Sequence, residues 1–237
     1  MFAESFRNGA AKALMAGIGM LSTLPTADAP AQPREFKFEH VSVELGLSQC
    51  SVGAIFQDRQ GFLWFGTSDG LNRYDGYSFK HYKHDPGNSN SLSHNNMSAI
   101  TEDHDGMLWF GTVEAGLNKF DRKSGTFTRY RHNPADSSSL SCDHISNLCL
   151  DANGVLWIGT FDGLNSFNPE TQTFARYRHN PQNPQSLSHP YVRRIYEDRA
   201  GALWMIAGWI LHKVDRAAGS FERVDDGMRK PNGRGVA

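Results

Sequence analysis

Apolar residues in this chain fall in short alternating or β-branched and aromatic bursts, broken by Gly, Asn, Asp and Pro. Alternation of that kind predicts half-buried strands. Aligned on Trp64, Trp109, Trp157 and Trp204, the bursts repeat at spacings of 45, 48 and 47 residues. That period lies among propeller-blade repeats and above most helical solenoids. Each period divides into four predicted strands. The first strands are Val52 to Gln57, Met97 to Glu102, Ile145 to Leu150 and Val192 to Glu197. An Asp-x-x-Gly follows each (Asp58/Gly61, Asp103/Gly106, Asp151/Gly154, Asp198/Gly201), with Asp and Gly where a tight turn favours them. The second strand carries Leu-Trp-Phe/Ile-Gly-Thr and the third Gly-Leu-Asn-x-Tyr/Phe. The fourth strands are Phe79 to Tyr82, Phe127 to Tyr130, Phe174 to Tyr177 and Phe221 to Val224.

Four antiparallel strands make one sheet, and a sheet with two apolar faces must stack on an equivalent sheet. The predicted fold is therefore all-β: a β-propeller of about four four-stranded blades, spanning about 49–82, 96–130, 144–177 and 191–224 within a region 32–226. Trp64, Trp109, Trp157 and Trp204 are its expected core fillers between sheets. Two units depart from the pattern. The second has an extra residue in Val113 to Gly116, read as a bulge. The fourth keeps Asp198, Gly201, Leu203 and Trp204 but replaces the Gly-Thr-x-Asp-Gly segment with Ile206-Ala207-Gly208-Trp209-Ile210 at unchanged length.

The first residues read differently. Arg7 and Lys12 precede an apolar run, Ala13 to Leu24, and small residues end in Ala29-Pro30-Ala31. This layout predicts a signal peptide over 1–31, cleaved after Ala31. The run is shorter than the ~20 residues a membrane-spanning helix requires. The chain is thus expected to be periplasmic or secreted in a bacterium. With Lys+Arg 24 against Asp+Glu 25, its charge offers no electrostatic reason for nucleic acid as a partner. Three cysteines (Cys50, Cys142, Cys149) leave at least one thiol free, and none has the Cys-x-x-Cys spacing of a zinc or redox site. Cys149 is expected to be a buried small hydrophobe.

Polar connectors link the units: "KHDPGNSNSLSHNN", "RHNPADSSSLSCDH" and "RHNPQNPQSLSHPY". In a propeller they reach one face beside the central channel, so the residues that vary at the inner-strand entry are candidate ligand contacts. These are His94, Asn95, Asp143, His144, Tyr191 and Arg193, with Trp209 added from the altered fourth unit. Donors, acceptors and a cation suit a polar small molecule or oligosaccharide. His84, His132 and His179 recur before Asp/Asn-Pro, which points to local capping and away from a metal centre. No metal, cofactor or catalytic residue is predicted, since no nucleophile elbow, zinc-protease motif or phosphate loop is present.

"QDRQGFLWFGTSDGLNRYDGYSF" also resembles the two-component regulator propeller repeat, with Asp-x-x-Gly, Leu-Trp-x-Gly-Thr and Gly-Leu-Asn in order three times. The resemblance covers about Phe36 to Val224. It implies an exported, non-enzymatic sensing propeller of a hybrid histidine kinase or diguanylate cyclase, usually with seven blades, a transmembrane helix and a signalling domain. This chain departs from that pattern in having about four units and no effector signature. Residues 36–43 read as a lead-in outer strand whose partner lies beyond Ala237, and 227–237 as a linker-like tail. Further blades, self-association and a downstream signalling domain are the partners so implied. A free-standing interaction scaffold and a propeller lyase or glycan hydrolase are the alternatives, the latter expected to show paired carboxylates or a His/Glu cluster outside the repeated positions.

Overall fold

A computed structural model of the chain describes residues 40–224. They form sixteen strands in four antiparallel sheets, each with its strands in sequence order. Blade one is β1 (Val52–Gln57), β2 (Leu63–Thr67), β3 (Gly70–Tyr74) and β4 (Phe79–Tyr82). Blade two is β5 (Met97–Glu102), β6 (Leu108–Thr112), β7 (Leu117–Asp121) and β8 (Thr126–Tyr130). Blade three is β9 (Ile145–Leu150), β10 (Leu156–Thr160), β11 (Gly163–Asn168) and β12 (Thr173–Tyr177). Blade four is β13 (Val192–Glu197), β14 (Leu203–Ala207), β15 (Ile210–Asp215) and β16 (Ser220–Arg223). The inner strands β1, β5, β9 and β13 each pack against the next in line.

The Asp of each first turn has two tasks. Asp58 Oδ1 accepts the N–H groups of Gln60 (3.0 Å) and Phe62 (2.9 Å), while Oδ2 accepts the Trp64 indole N–H at 2.7 Å. The indole bond recurs from Trp109 to Asp103 (2.7 Å), Trp157 to Asp151 (2.8 Å) and Trp204 to Asp198 (2.7 Å). One carboxylate thus closes the hairpin and satisfies the polar edge of the core indole, which would otherwise be costly to bury. Each indole then meets the next sheet. Trp64 lies 5.6 Å from Phe110 and 6.0 Å from Phe120, and Trp109 lies 4.9 Å from Phe167, centroid to centroid. Trp64, Trp109 and Trp157 are buried, whereas Trp204, which has no described sheet beyond it, is half-buried.

Two further devices order the blades, one binding each connector to the blade that follows it and one joining neighbours. Leu47, Leu92, Leu140 and Leu187 of the connectors are buried. The serine after each of the first three is clamped by a buried Asn of the third strand. Asn118 accepts the Ser93 N–H (2.8 Å) and donates to its hydroxyl (2.8 Å); Asn72 with Ser48 and Asn165 with Ser141 do the same. Ionic clasps form the second device. Arg122 of blade two reaches Asp58 of blade one (3.1 Å) and Glu102 of its own blade (2.9 Å). Arg216 of blade four likewise joins Asp151 of blade three (3.0 Å) and Glu197 (2.5 Å). At the joint between blades two and three, Leu150 and Pro169 stand in the Glu and Arg places, and Leu150 packs against the apolar core.

Several sequence expectations change. The leader over 1–31, the tail over 227–237 and most of the lead-in strand over 36–43 lie outside the described residues. Of that strand, the described residues 40–43 are unpaired, and Val43–Leu45 forms a 3-10 turn ended by Gly46 at φ 105°. The extra residue of unit two is absorbed in the β6–β7 loop, where the Thr112 hydroxyl donates to Gly116 (2.8 Å) and accepts the Ala115 N–H (2.9 Å). The bulges fall elsewhere, one in each inner-strand pairing. All three cysteines are free; Cys50 is exposed, and burial pushes the half-buried Cys149 thiol up. Among the described residues no helix is long and apolar enough to cross a membrane.

Candidate functional site

A propeller blade meets its successor at two places where bulk is forbidden. One is the Gly of Leu-Trp-x-Gly-Thr. A Cβ on Gly66 would lie 2.7 Å from Met97 Cβ, on Gly111 2.5 Å from Ile145 Cγ2, and on Gly159 3.0 Å from Val192 Cγ1. The other is the extra residue of the inner-strand bulge, which is Gly53, Ser98 and Ser146 in blades one to three. A Cβ on Gly53 would sit 2.5 Å from the Met97 carbonyl oxygen, and the Ser146 hydroxyl donates to the Val192 carbonyl. In blade four these places hold Ile206 and Arg193. In blade four, then, the places that admit the next sheet in the blades before it carry bulk and charge.

The bulge turns Arg193 out of the strand ladder. Its guanidinium carbon lies 3.8 Å from the Trp209 ring centroid and 5.7 Å from that of Tyr191. Tyr191 in turn lies 4.3 Å from Phe161, and Phe161 stacks on His144 at 3.5 Å and 20°. His144, Tyr191, Arg193 and Trp209, four of the residues singled out by sequence, thus form one continuous row across blades three and four. Phe161, in the β10–β11 turn, is the member that sequence reasoning missed; its signal was an aromatic where blades one and two have Ser68 and Val113. Trp209 is 79% exposed and Phe161 44%. Burial holds the His144 imidazole below its ordinary value, with the Glu114 charge opposing.

The other three candidates are placed differently. Asn95 and Asp143 are side-chain acceptors for the backbone N–H groups of His84 (2.7 Å) and His132 (2.6 Å), so they tie down connectors. His94 accepts the Asn96 N–H (3.1 Å) and lies 3.6 Å from Glu114, away from the aromatic row. His84, His132 and His179 face the carbonyls of Leu92, Leu140 and Leu187 through Nδ1 at 2.7, 2.7 and 2.5 Å. A carbonyl only accepts, so each Nδ1 must carry the proton. Among the described residues no three metal-ligating side chains converge.

Blade four also lacks the Ser–Asn clamp. His212 stands in the Asn place; it is 0% exposed, its Nδ1 faces the Ile210 carbonyl at 3.0 Å, and its Nε2 has no partner. Burial lowers its affinity for a proton, and Arg223, its cross-strand partner, adds to this against the opposing bond to Ile210. Beyond it, Tyr196, Trp204, Ile206 and Leu211 line a shallow apolar groove on the face that no described sheet covers.

Comparison with known proteins bears on these blades. Residues 46–69, 91–114 and 139–162 match the model of the two component regulator propeller. A 63-residue stretch is 49% identical to histidine kinase P4 of Formosa agariphila, covering 27% of this chain and 5% of the kinase. The extracellular domain of a protein described as a hybrid two component system of B. thetaiotaomicron superposes with TM-score 0.61 at 26% identity, over 77% of this chain and 31% of that one. Virginiamycin B lyase of Staphylococcus aureus, in an inactive variant with quinupristin, superposes with TM-score 0.57 at 17% identity over 80% of this chain and 60% of the lyase, a likeness of fold alone. The chain spans less than a third of the length of the two-component relative and a twentieth of the kinase.

Proposed function

We propose, for a chain carrying three two component regulator propeller repeats, that it is the extracytoplasmic ligand-sensing region of a two-component-type signalling receptor. It binds a polar small molecule or oligosaccharide and performs no catalysis of its own. The observation that carries this reading is the combined repeat match and likeness to the extracellular domain of the B. thetaiotaomicron two component system. Supporting it, an aromatic row with Trp209 and Phe161 exposed runs from blade four onto blade three, at positions where blade one carries Asp69 and Ser68. Residues 1–31 act as a leader, and 227–237 link to further blades and a signalling domain. A blade following the fourth must meet Ile206 with a small residue, because the Gly that accommodates Met97, Ile145 and Val192 is missing there.

The test is to sequence the native gene past the codon for Ala237 and to determine the mature amino terminus. Blades continuing into a transmembrane helix and a kinase or cyclase, with a mature protein beginning at Gln32, are the expected result. A stop codon after Ala237, or a retained and uncleaved leader, overturns it.

A further inference from the structure

Arg193 narrows the chemistry of the ligand. The other clasped arginines are neutralised: Arg122 and Arg216 each meet two carboxylates, and Arg178 meets Asp162 at 2.8 Å. Among the described residues Arg193 meets none. Its guanidinium lies 3.8 Å from the Trp209 ring centroid and 5.7 Å from that of Tyr191, and the residue remains partly exposed. A planar cation so held keeps its N–H edge for a planar anion, and carboxylates match that fork with two parallel hydrogen bonds. On the neighbouring blades, Asp162 faces Arg178 at 2.8 Å and Glu114 lies 3.6 Å from His94. Trp209, 79% exposed, offers beside that edge a wide surface on which a ring can stack.

We infer that Arg193 and Trp209 form a subsite for a ring compound bearing a carboxylate, the ring on the indole and the acid on the guanidinium. This rests on the ligand-sensing reading and specifies its ligand. Phe161 and His144 extend the row from blade four onto blade three, so a ligand of more than one ring finds successive surfaces. Two sources supply this chemistry, a uronate sugar and an aromatic acid.

The experiment uses the whole chain, with titration calorimetry and tryptophan fluorescence. The probes are tetragalacturonate against its methyl ester, and indole-3-acetate against its amide. Wild type should bind one acid about tenfold or more tighter than its neutral partner, the size expected of a charge-assisted hydrogen bond. Which acid wins identifies the source. Arg193→Gln should abolish the acid preference while leaving the neutral partner's affinity unchanged, and Trp209→Ala should weaken both. Trp209 is exposed and Arg193 partly so, and neither carries a core contact, so thermal melts should match wild type; Arg193→Lys, which keeps the charge and loses the planar fork, should be intermediate. Equal binding of acid and neutral partner, or a preference that survives Arg193→Gln, overturns the subsite and leaves ligand sensing standing. No binding of any probe overturns the subsite too, and the gene-sequence test then decides separately whether the receptor reading survives.

Discussion

Blades one to three and blade four share strands, the Asp-x-x-Gly turn and the Asp-to-Trp bond, yet they part at the second turn, at the connector clamp and at the places where a blade touches its successor. Gly66, Gly111 and Gly159 become Ile206; the small bulge residues become Arg193; Asn72, Asn118 and Asn165 become His212; and Tyr82, Tyr130 and Tyr177 become Val224. What blade four keeps is the first hairpin and its indole bond; what it changes is chiefly what faces the next sheet, together with the second turn, where Ala207 stands in place of Thr67, Thr112 and Thr160. The repeat therefore holds residues for hairpins and residues for stacking, and the fourth unit keeps the first hairpin while altering the second turn and the stacking places.

The comparison breaks hardest if the stacking rule is violated inside the run. Gly111→Ile places blade four's residue where a Cβ already lies 2.5 Å from Ile145, and urea unfolding should show a loss of about 3 kcal/mol or more. The reverse change, Ile206→Gly, meets no such neighbour and should cost only about 1 kcal/mol, the conformational entropy of a strand glycine plus a little apolar surface. Equal losses from the two would show that blade four is not special. Next in size, Asp58→Ala removes the acceptor of two turn N–H groups and the Trp64 indole and leaves Arg122 with Glu102 alone, for an expected loss of about 3 kcal/mol. Asp198→Ala, at an exposed turn without an arginine, should lose clearly less in the same assay.

His212 sharpens the contrast through pH. Its folded-state proton affinity is depressed by burial, so it is neutral in both states above the unfolded value of about 6.5. As the pH falls from there toward the lower folded value, the unfolded chain takes up the proton first and stability is lost. His212→Asn should remove that share of the acid sensitivity and let Ser188 regain its clamp, gaining about 1 kcal/mol in denaturation at pH 5 and less at pH 7.5. An unchanged pH slope would mean that another group, such as His144, dominates. The smallest effect belongs to Trp209→Ala, expected within about 0.5 kcal/mol of wild type because the side chain stands in solvent.

Much of this was legible before the fold was seen. The four inner strands begin and end where alternation placed them, since Asp-x-x-Gly punctuates each one. Asp58 was readable as a turn residue, but its bond to Trp64 was not, because the partner lies six residues on, across a hairpin whose register had to be built first. The Leu-Ser and Gly-Leu-Asn repeats were both visible, yet nothing along the chain says that Asn118 reaches Ser93, 25 residues away. Variation between copies picks out candidate contacts of two kinds. It found His144, Tyr191, Arg193 and Trp209, which the fold gathers, and also Asn95 and Asp143, whose carbonyl and carboxylate oxygens are spent on connector backbone. Conserved loop geometry and ligand contact draw on the same polar residue types, so sequence variation alone does not separate them.

The alternation of ionic clasps also gives the array a mechanical grain. Arg122 ties blades one and two, Arg216 ties blades three and four, and the joint between is spanned by Leu150 and Pro169 in place of the clasp. Under tension along the chain, clasped joints resist until a charge is pulled from two carboxylates at once, while the middle joint has no such catch. The four blades would then yield as two doublets, and a strain applied at one end would be relieved first at the centre.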